Sequence, residues 1–230
     1  MKSLDQIAIE KNTDKSSKIH DYCVKYEKLL QFDRASKHKM LEIGILNGAS
    51  LSMWSEYYPN AQIVGLDINA DCKKYAKDNI KVEIGNQSDV TFLKYVAAKH
   101  GPFDLIVDDG SHIQEHVIIS FESLFPHVVP GGIYIVEDTV TSYWPSHNGG
   151  LRKPSSMVEY FKDLIDDVNF HGIESKLVVD GVLHSHARRN KELIQAAKEH
   201  NKTNNEKIRF DIESISFYNS FIFIRKSFEV

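Results

Sequence analysis

The chain has 230 residues and a mass of 26.3 kDa, which is enough for one α/β domain with a sizeable core. Its 28 lysines and arginines against 32 aspartates and glutamates give a net charge of −4, which argues against a broad basic surface for nucleic acid. The 42% hydrophobic content is ordinary for a globular protein and excludes wholesale disorder.

Cysteine content and hydropathy narrow the class of protein further. Cys23 and Cys72 are the only cysteines, so a disulfide framework and a cysteine-rich zinc site are both excluded. The first residues lack the apolar run of a signal peptide, and no stretch approaches the ~18 apolar residues of a membrane span. We therefore expect a cytoplasmic protein without a membrane partner, whose helix before the first strand could serve the core or a homo-oligomer interface.

Short apolar runs alternate with helical patterns over residues 18–138, which is typical of parallel βαβ units. The predicted strands cover residues 39–44, 62–68, 81–85, 103–109 and 132–138. The predicted helices cover residues 18–31, 51–58, 71–78, 92–100 and 117–125, and a turn is predicted at residues 130–132.

The pattern changes after the fifth predicted strand. Residues 139–205 contain turn-forming prolines and glycines and two helical stretches, near residues 157–167 and 191–200. The chain then ends in two β-rich runs separated at residues 218–220, which predicts an antiparallel hairpin.

Together these elements predict the architecture of the whole chain. We expect a single α/β domain over residues 1–230, with a doubly wound, mostly parallel seven-stranded sheet and a C-terminal antiparallel hairpin. Residues 1–36 form a polar lead and the first helix, and residues 139–205 form an insertion before the hairpin.

A glycine turn follows the first predicted strand. Gly44 and Gly48 have the spacing G-x-x-x-G, where glycines let the backbone pass close to a ligand and a helix N-terminus offers free N–H groups. Asp67 ends the second strand, where its carboxylate can accept hydrogen bonds from two ribose hydroxyls. The G-x-G-x-x-G spacing that binds a dinucleotide pyrophosphate is absent. The pattern favours a nucleoside-bearing cofactor without a diphosphate over a chance pairing of a turn and an acid.

Polar residues also follow the third predicted strand. Gln87, Ser88 and Asp89 lie at an edge beside the second strand, where their side chains could contact a purine. Alternatively, Ser88 or Asp89 caps the next helix. We predict ligand contact for Gln87 and Ser88 and leave both roles open for Asp89.

The strongest constellation lies after the fourth and fifth strands. Asp108 and Asp109 end the fourth strand, His112 follows it, and Glu137 and Asp138 end the fifth. The carboxyl ends of neighbouring parallel strands converge where such sheets bind ligands. Because side chains alternate along a strand, only one of Asp108 and Asp109 is expected to enter the site. Three converging carboxylates need a cation or protons, and oxygen ligands suit Mg²⁺, Mn²⁺ or Ca²⁺ better than zinc.

His112 lies three residues beyond Asp109 on the same predicted loop. An imidazole side chain can act as a general base near neutral pH, here beside the predicted metal. The alternative is that the strand-end carboxylates only cap the following helices and that the histidine is a solvated loop residue. The clustering of acids and a histidine on neighbouring strand ends favours a functional site.

The order of these motifs resembles that of a known family. The segments LEIGxxxG, LD, GNQSD, FDLIVDDGSH and GGIYIVEDT are similar to those of class I S-adenosylmethionine-dependent methyltransferases. More closely, they resemble metal-dependent sugar O-methyltransferases of the macrocin and mycinamicin type, whose members can carry an additional N-terminal domain. The resemblance extends from Thr13-Asp14-Lys15 to the hairpin with Tyr218 and departs at Asn86, where an aspartate is usual.

The resemblance implies a cofactor, a metal and roles for individual residues. It implies that S-adenosylmethionine is surrounded by Thr13, Lys15, Glu42, Gly44, Gly48, Asp67, Gln87, Ser88 and Asp109. It also implies that Asp109, Glu137 and Asp138 hold Mg²⁺ and that His112 is the base. In this scheme Lys15 is the counter-charge of the cofactor's carboxylate.

The implied acceptor is a sugar-bearing small molecule. Two adjacent hydroxyls that chelate Mg²⁺ would become more acidic, so that His112 removes a proton and the oxygen attacks the sulfonium methyl in line. Residues 139–205 are then the acceptor-binding insertion. Within it, Tyr143 and Trp144 either stack on a sugar face or pack the hinge of the loop.

Three other functions remain as alternatives at this point. A catechol-type O-methyltransferase would use the same metal chelation on an aromatic diol. An NAD-dependent oxidoreductase on a similar sheet would need the dinucleotide fingerprint that this chain lacks. A non-catalytic binding protein of the same fold would leave the clustered acids and His112 unexplained.

Overall fold

The computed structural model describes residues 1–169, 178–179, 182–183 and 211–228. Its strands are β1 (Lys39–Ile43), β2 (Gln62–Asp67), β3 (Ile80–Ile84), β4 (Phe103–Asp108), β5 (Val128–Glu137), β6 (Val178–Val179), β7 (Val182–Leu183), β8 (Ile212–Tyr218) and β9 (Phe221–Lys226). The main sheet has seven strands in the order β3-β2-β1-β4-β5-β9-β8, while β6 and β7 form a small antiparallel pair. Pairing is parallel from β3 to β5 and antiparallel between β5 and β9 and between β9 and β8.

Helices cover both faces of the main sheet. They are α1 (Leu4–Lys11), α2 (Tyr22–Leu29), α3 (Ala49–Tyr57), α4 (Val90–His100), α5 (Gln114–Leu124), α6 (Met157–Asp163) and α7 (Ile165–Asn169). Buried side chains of α1, α2 and α3 pack on one face, and those of α4, α5 and α6 pack on the other. In the part of the chain that the structure describes, no helix is both long and apolar enough to cross a membrane.

The alternation of apolar side chains along the central strands supplies both core layers. In β4, Leu105 and Val107 belong to the layer beneath α1–α3, and Ile106 belongs to the layer beneath α4–α6. The predicted fold class is confirmed, because the sheet is doubly wound, mostly parallel and closed by a C-terminal antiparallel hairpin. Between β1 and α5, the bounds of the strands and helices agree with prediction to within three residues. The exception is the helix predicted at residues 71–78, which is described below.

The N-terminal segment differs from the prediction of a polar lead and one long helix. The lead contains α1, which a capping box between Ser3 and Gln6 stabilises at its first turn. Helix α2 begins at Tyr22 instead of residue 18, because Asp21 has a left-handed backbone (φ 58°). The spacing of Ser3 and Gln6 is a capping-box signal in the sequence, and the prediction did not use it.

Two further predicted helices are corrected by the structure. The helix predicted at residues 71–78 is a short 3₁₀ helix over Ala70–Tyr75, because the chain turns at Lys77, which forms a bridge with Ile80. The helix predicted at residues 157–167 is divided into α6 and α7. The helix predicted at residues 191–200 lies outside the described residues.

Strand β5 is longer than predicted. It begins at Val128, so the turn predicted at residues 130–132 lies within the strand. The register against β4 shifts between Phe103 and Leu105, which accommodates the proline and glycines of this stretch as an irregularity in the ladder.

Candidate active site

The register of the sheet brings acidic side chains together at its carboxyl edge. Strand β4 lies between β1 and β5 and pairs with both up to Asp108. The next residue, Asp109, points to the same face as Glu42 at the end of β1 and Glu137 at the end of β5, whereas Asp108 points to the opposite face. We call Glu42, Asp109, Glu137 and Asp138 the acidic cluster.

Lys15, in the connection between α1 and α2, supplies a positive charge to the acidic cluster. Its Nζ contacts Asp109 Oδ2 and lies 2.6 Å from Glu137 Oε2 and 3.6 Å from Glu42 Oε1. Only 1% of the Lys15 side chain is exposed. Burial raises the pKa of Asp109 and raises the pKa of Glu137 well above its usual value, and the neighbouring Lys15 ammonium acts in the opposite direction.

Two tyrosines of α2 donate hydrogen bonds to the acidic cluster. Tyr26 donates to Glu137 Oε1 at 2.9 Å, and Tyr22 donates to Asp138 Oδ1 at 2.7 Å. Their i, i+4 spacing places both phenols on one face of the helix. The left-handed backbone of Asp138 (φ 51°) breaks the pleat after β5, so that the consecutive acids Glu137 and Asp138 lie at one edge of the sheet. Both acids are thereby held in defined orientations.

His112 lies between two carboxylates of the acidic cluster. Its Nε2 is 3.8 Å from Asp109 Oδ1 and 3.6 Å from Asp138 Oδ2. Ligand atoms of these three residues lie within 4.8 Å of one another, so the group could hold a metal ion. Glu137 is turned toward Lys15 instead. The side chains of Asp109, His112 and Asp138 are 21%, 21% and 23% exposed, so a ligand can reach them.

Asp108 belongs to a buried network on the opposite face of the sheet. Gln87 Nε2 donates to Asp108 Oδ1 at 3.1 Å, and the Tyr134 hydroxyl donates to Asp108 Oδ2 at 3.3 Å. Gln87 Oε1 accepts a hydrogen bond from the Ser111 N–H at 2.6 Å. Burial raises the pKa of Asp108 to about 7. Gln87 therefore connects Asp108 to the loop that carries His112.

A cavity of about 630 Å³ opens beside these side chains. Its wall includes, among the residues predicted to function here, Thr13, Gly44, Asp67, Gln87, Asp109, His112 and Asp138. At Gly44, with a left-handed φ of 90°, an added Cβ would lie 2.0 Å from the Asp109 carbonyl oxygen. This close approach of β1 and β4 therefore requires glycine.

Asp67 ties the glycine turn to the end of β2. Its Oδ2 accepts hydrogen bonds from the backbone N–H groups of Ile45 (2.8 Å) and Leu46 (3.3 Å), and its Oδ1 accepts one from Asn69 (2.8 Å). Partial burial acts to raise the pKa of this carboxyl, but the three backbone donors hold the pKa below its usual value. The cavity wall thus carries an anionic group at this position.

Other predicted cofactor contacts lie outside the cavity wall. Lys15 and Glu42 are buried beneath it, with 1% and 0% of their surface exposed. Gly48 is the N-cap of α3, and the Ser88 hydroxyl donates to Asn86 Oδ1 at 2.9 Å. These four residues therefore do not line the cavity in this structure.

The structure also places the residues for which two roles were open. Asp89 accepts hydrogen bonds from two backbone N–H groups in the first turn of α4 and therefore caps that helix. Tyr143 and Trp144 are 47% and 46% exposed, and the Trp144 ring makes an edge contact with His147 at 5.6 Å. About half of the surface of each residue is thus open to solvent.

Several residues of the site were not predicted from the sequence. Tyr22 and Tyr26 were not assigned to the acids, although their i, i+4 spacing was visible in the predicted helix. His116 lines the cavity, and its Nδ1 lies 3.0 Å from Ser111 Oγ. The contact of Lys15 with the acidic cluster has no local signal, because its partners are remote in the chain.

Comparison with known proteins places this arrangement in a family. Residues 41–139, which run from β1 through the end of β5, match the family described as "Methyltransferase domain". The chain is 40% identical over 178 residues to the L-olivosyl-oleandolide 3-O-methyltransferase of Streptomyces antibioticus, a match that covers 73% of this chain and 46% of that protein. Residues 41–139 belong to this methyltransferase family.

A second relative and a solved structure agree with this assignment. The chain is 37% identical over 183 residues to the Mycinamicin VI 2''-O-methyltransferase of Micromonospora griseorubida, covering 75% of the chain and 45% of that protein. Its fold is similar to that of the MycE methyltransferase from the mycinamycin biosynthetic pathway, solved in complex with Mg and SAH. The TM-score is 0.80 at 29% identity, over 98% of this chain and 55% of that chain. The resemblance inferred from the motifs is confirmed, and the chain spans about half the length of the curated relatives it matches.

Glu42 gives the protein a pH dependence of stability that can be tested. Burial raises its pKa from 4.5 to about 7, so the folded state holds this proton more tightly than the unfolded state. The resulting stabilisation is fully present below the unfolded pKa and is lost as the pH rises through about 7. Stability supplied by Glu42 should therefore decline across this window.

The variant Glu42→Gln should lack this decline. We expect the free energy of unfolding of the wild type, relative to the variant, to fall between about pH 5 and about pH 7 by up to about 1 kcal/mol per pH unit. Urea unfolding at a series of pH values measures the difference. A constant offset between the two curves would show that Glu42 does not titrate in this range.

Proposed function

We propose that this chain is an S-adenosylmethionine-dependent, Mg²⁺-dependent O-methyltransferase that acts on a sugar hydroxyl. The observation that supports the proposal most directly is the position of His112 between Asp109 and Asp138 in the wall of the cavity behind the glycine turn. A base, a set of metal ligands and a ligand cavity would thereby meet at one edge of the sheet. The curated relatives are named as O-methyltransferases, one of them of an olivosyl compound.

S-adenosylmethionine would enter the cavity as the methyl donor and be consumed there. The volume of about 630 Å³ lies within the usual range for small-molecule sites. Gly44 lines the cavity, and Asp67 offers a carboxylate for the ribose hydroxyls. Gln87 lines the wall beyond β3, and Thr13 closes the cavity from the N-terminal segment.

The donor set fits a magnesium ion. Asp109 and Asp138 offer carboxylate oxygens close to one another, and Mg²⁺ prefers oxygen ligands. We assign the third carboxylate to Glu137, which precedes Asp138 at the end of β5. When bound, the metal would make the acceptor hydroxyl more acidic and stabilise the charge that develops on its oxygen.

His112 would accept the proton of the acceptor hydroxyl. The acceptor oxygen forms a bond to the methyl carbon as the carbon–sulfur bond of the donor breaks, and the proton passes to His112 Nε2. The positive charge of the sulfonium is thus exchanged for that of an imidazolium, which Asp109 and Asp138 at 3.8 Å and 3.6 Å would stabilise. Alignment of the reactants by the site can supply ~7–11 kcal/mol of the barrier reduction.

We assign the acceptor side of the site to residues 139–205, of which 170–177, 180–181 and 184–205 lie outside the described residues. Tyr143 and Trp144 expose aromatic faces directly after the metal-binding end of β5. Aromatic rings present an apolar face together with a polar handle, which suits the face of a sugar ring.

Methyl transfer from methyl-labelled S-adenosylmethionine to a panel of glycosides and catechols tests the proposal, with Mg²⁺ and with a chelator. We expect a labelled product from sugars that bear adjacent hydroxyls, and none when the metal is chelated. Calorimetric titration of S-adenosylhomocysteine into the same protein tests the donor cavity separately. Product from catechols alone would reassign the acceptor, and a folded protein that binds no S-adenosylhomocysteine would contradict the proposed function.

A further inference from the structure

Lys15 does not face the cavity in which a methyl donor would bind. Its ammonium group lies between Asp109 Oδ2, which it contacts, and Glu137 Oε2 at 2.6 Å, and it is 3.6 Å from Glu42 Oε1. The side chain is 1% exposed, so these carboxylates replace its water shell. The ammonium group thus stands at the point where the ends of β1, β4 and β5 converge.

We propose that Lys15 is an internal cation of the metal site, which competes with the divalent ion for Asp109 and Glu137 and is displaced when that ion binds. The inference rests on the proposed function, because it requires that the acidic cluster binds a divalent metal. It assigns to Lys15 a role toward the metal, in place of a permanent contact with the donor.

Shared ligands are the physical basis of this competition. Mg²⁺ lies about 2.0–2.1 Å from its ligand oxygens, so an ion held by both Asp109 Oδ2 and Glu137 Oε2 would occupy the space of the Lys15 ammonium. Two cations in contact also repel each other strongly at low dielectric. A divalent ion has twice the charge of the ammonium, and therefore gains more from the same carboxylates.

Displacement of the Lys15 ammonium would require movement of its own side chain. The lysine side chain is a compact charge on a flexible four-carbon stem, which can swing while its backbone stays in place. The backbone N–H of Lys15 donates to Thr13 Oγ1 at 3.4 Å, and Thr13 and Asp14 both line the cavity. A displaced ammonium would therefore enter the cavity, where it could meet the carboxylate of the methyl donor.

Binding of Mn²⁺ to the protein without a methyl donor tests the competition, with electron paramagnetic resonance as the readout. We expect Lys15→Met to bind Mn²⁺ at least about tenfold more tightly than the wild type, because its competitor is gone. The matched control is Lys25→Met. Lys25 lies on α2 and pairs with Asp21, so this variant also loses one positive charge but should bind Mn²⁺ like the wild type. Equal or weaker binding by folded Lys15→Met would overturn the inference.

A measurement on the wild type covers the case in which Lys15→Met does not fold. Amine-selective labelling read by mass spectrometry should modify Lys15 at least about tenfold faster when Mg²⁺ is saturating, while the labelling rate of Lys25 stays constant. A Lys15 that remains equally protected with Mg²⁺ would overturn the inference.

These outcomes are separable from those of the proposed function. A wild type that binds both Mn²⁺ and S-adenosylhomocysteine, with no gain in Lys15→Met, refutes only the role of Lys15. A wild type that binds neither refutes the proposed function, and the role of Lys15 with it.

Discussion

Replacing Asp109 with asparagine is expected to lower kcat by at least about a hundredfold and to remove the response of the protein to Mg²⁺. The Asp109 carboxylate contacts Lys15 through Oδ2 and faces His112 through Oδ1. The substitution keeps the shape of the side chain but removes the charge that a metal ion and a protonated base would both use. Steady-state kinetics and calorimetric titration of Mg²⁺ measure the two effects.

The neighbouring variant Asp108→Asn is the matched control. It makes the same chemical change one residue away, on a carboxylate that is 1% exposed and hydrogen-bonded to Gln87 and Tyr134 on the opposite face. We expect this variant to retain Mg²⁺ binding. If both variants lost the Mg²⁺ response equally, Asp109 would not be a metal ligand. The loss would then come from a change in the loop after β4 that carries His112.

Replacing His112 with alanine is expected to lower kcat by about 10²–10⁴-fold, the usual contribution of a general base. Binding of S-adenosylhomocysteine and of Mg²⁺ should stay close to that of the wild type, because Asp109 and Asp138 remain in place. The imidazole is 3.6 Å and 3.8 Å from these acids, near enough for them to stabilise its protonated form. Single-turnover methyl transfer isolates the chemical step from binding.

His127→Ala serves as the control for this experiment. His127 is half-buried and directly precedes β5, at the opposite edge of the sheet from Glu137, so its loss should leave kcat unchanged. Retention of most turnover in His112→Ala would show that the base lies elsewhere. A parallel fall in Mg²⁺ affinity would instead identify His112 as a metal ligand.

Much of the fold could be predicted because its signals are local. Apolar runs such as that ending in Asp108 and Asp109 predict buried strands, and their alternation with helical patterns predicts a doubly wound sheet. The alternation along β4 also predicted that these two acids point to opposite faces, as they do. Helix α1 was missed because its few buried residues, Leu4, Ile7 and Ala8, do not form a long apolar pattern.

The candidate site likewise has residues that could be predicted from the sequence and partners that could not. The glycine turn, Asp67, Asp109, His112 and Asp138 follow strand ends, and parallel strands bring their carboxyl ends to one edge whatever the details of packing. The partners of these residues could not be predicted from spacing. Lys15 lies 94 residues from Asp109 and 122 residues from Glu137, so only the docking of the N-terminal segment onto the sheet brings them together.

The sequence by itself determined the strand pattern, the glycine turn and the set of acids at the carboxyl edge, because each depends on residue order and on the two-residue period of a strand. Only the tertiary structure decided which cation and which hydroxyls meet those acids. Lys15, Tyr22 and Tyr26 contact them because α1 and α2 pack on the face of the sheet to which Glu42, Asp109 and Glu137 point. The physical reason is that a buried carboxylate needs a partner, and which partner reaches it depends on the packing of segments remote in the chain.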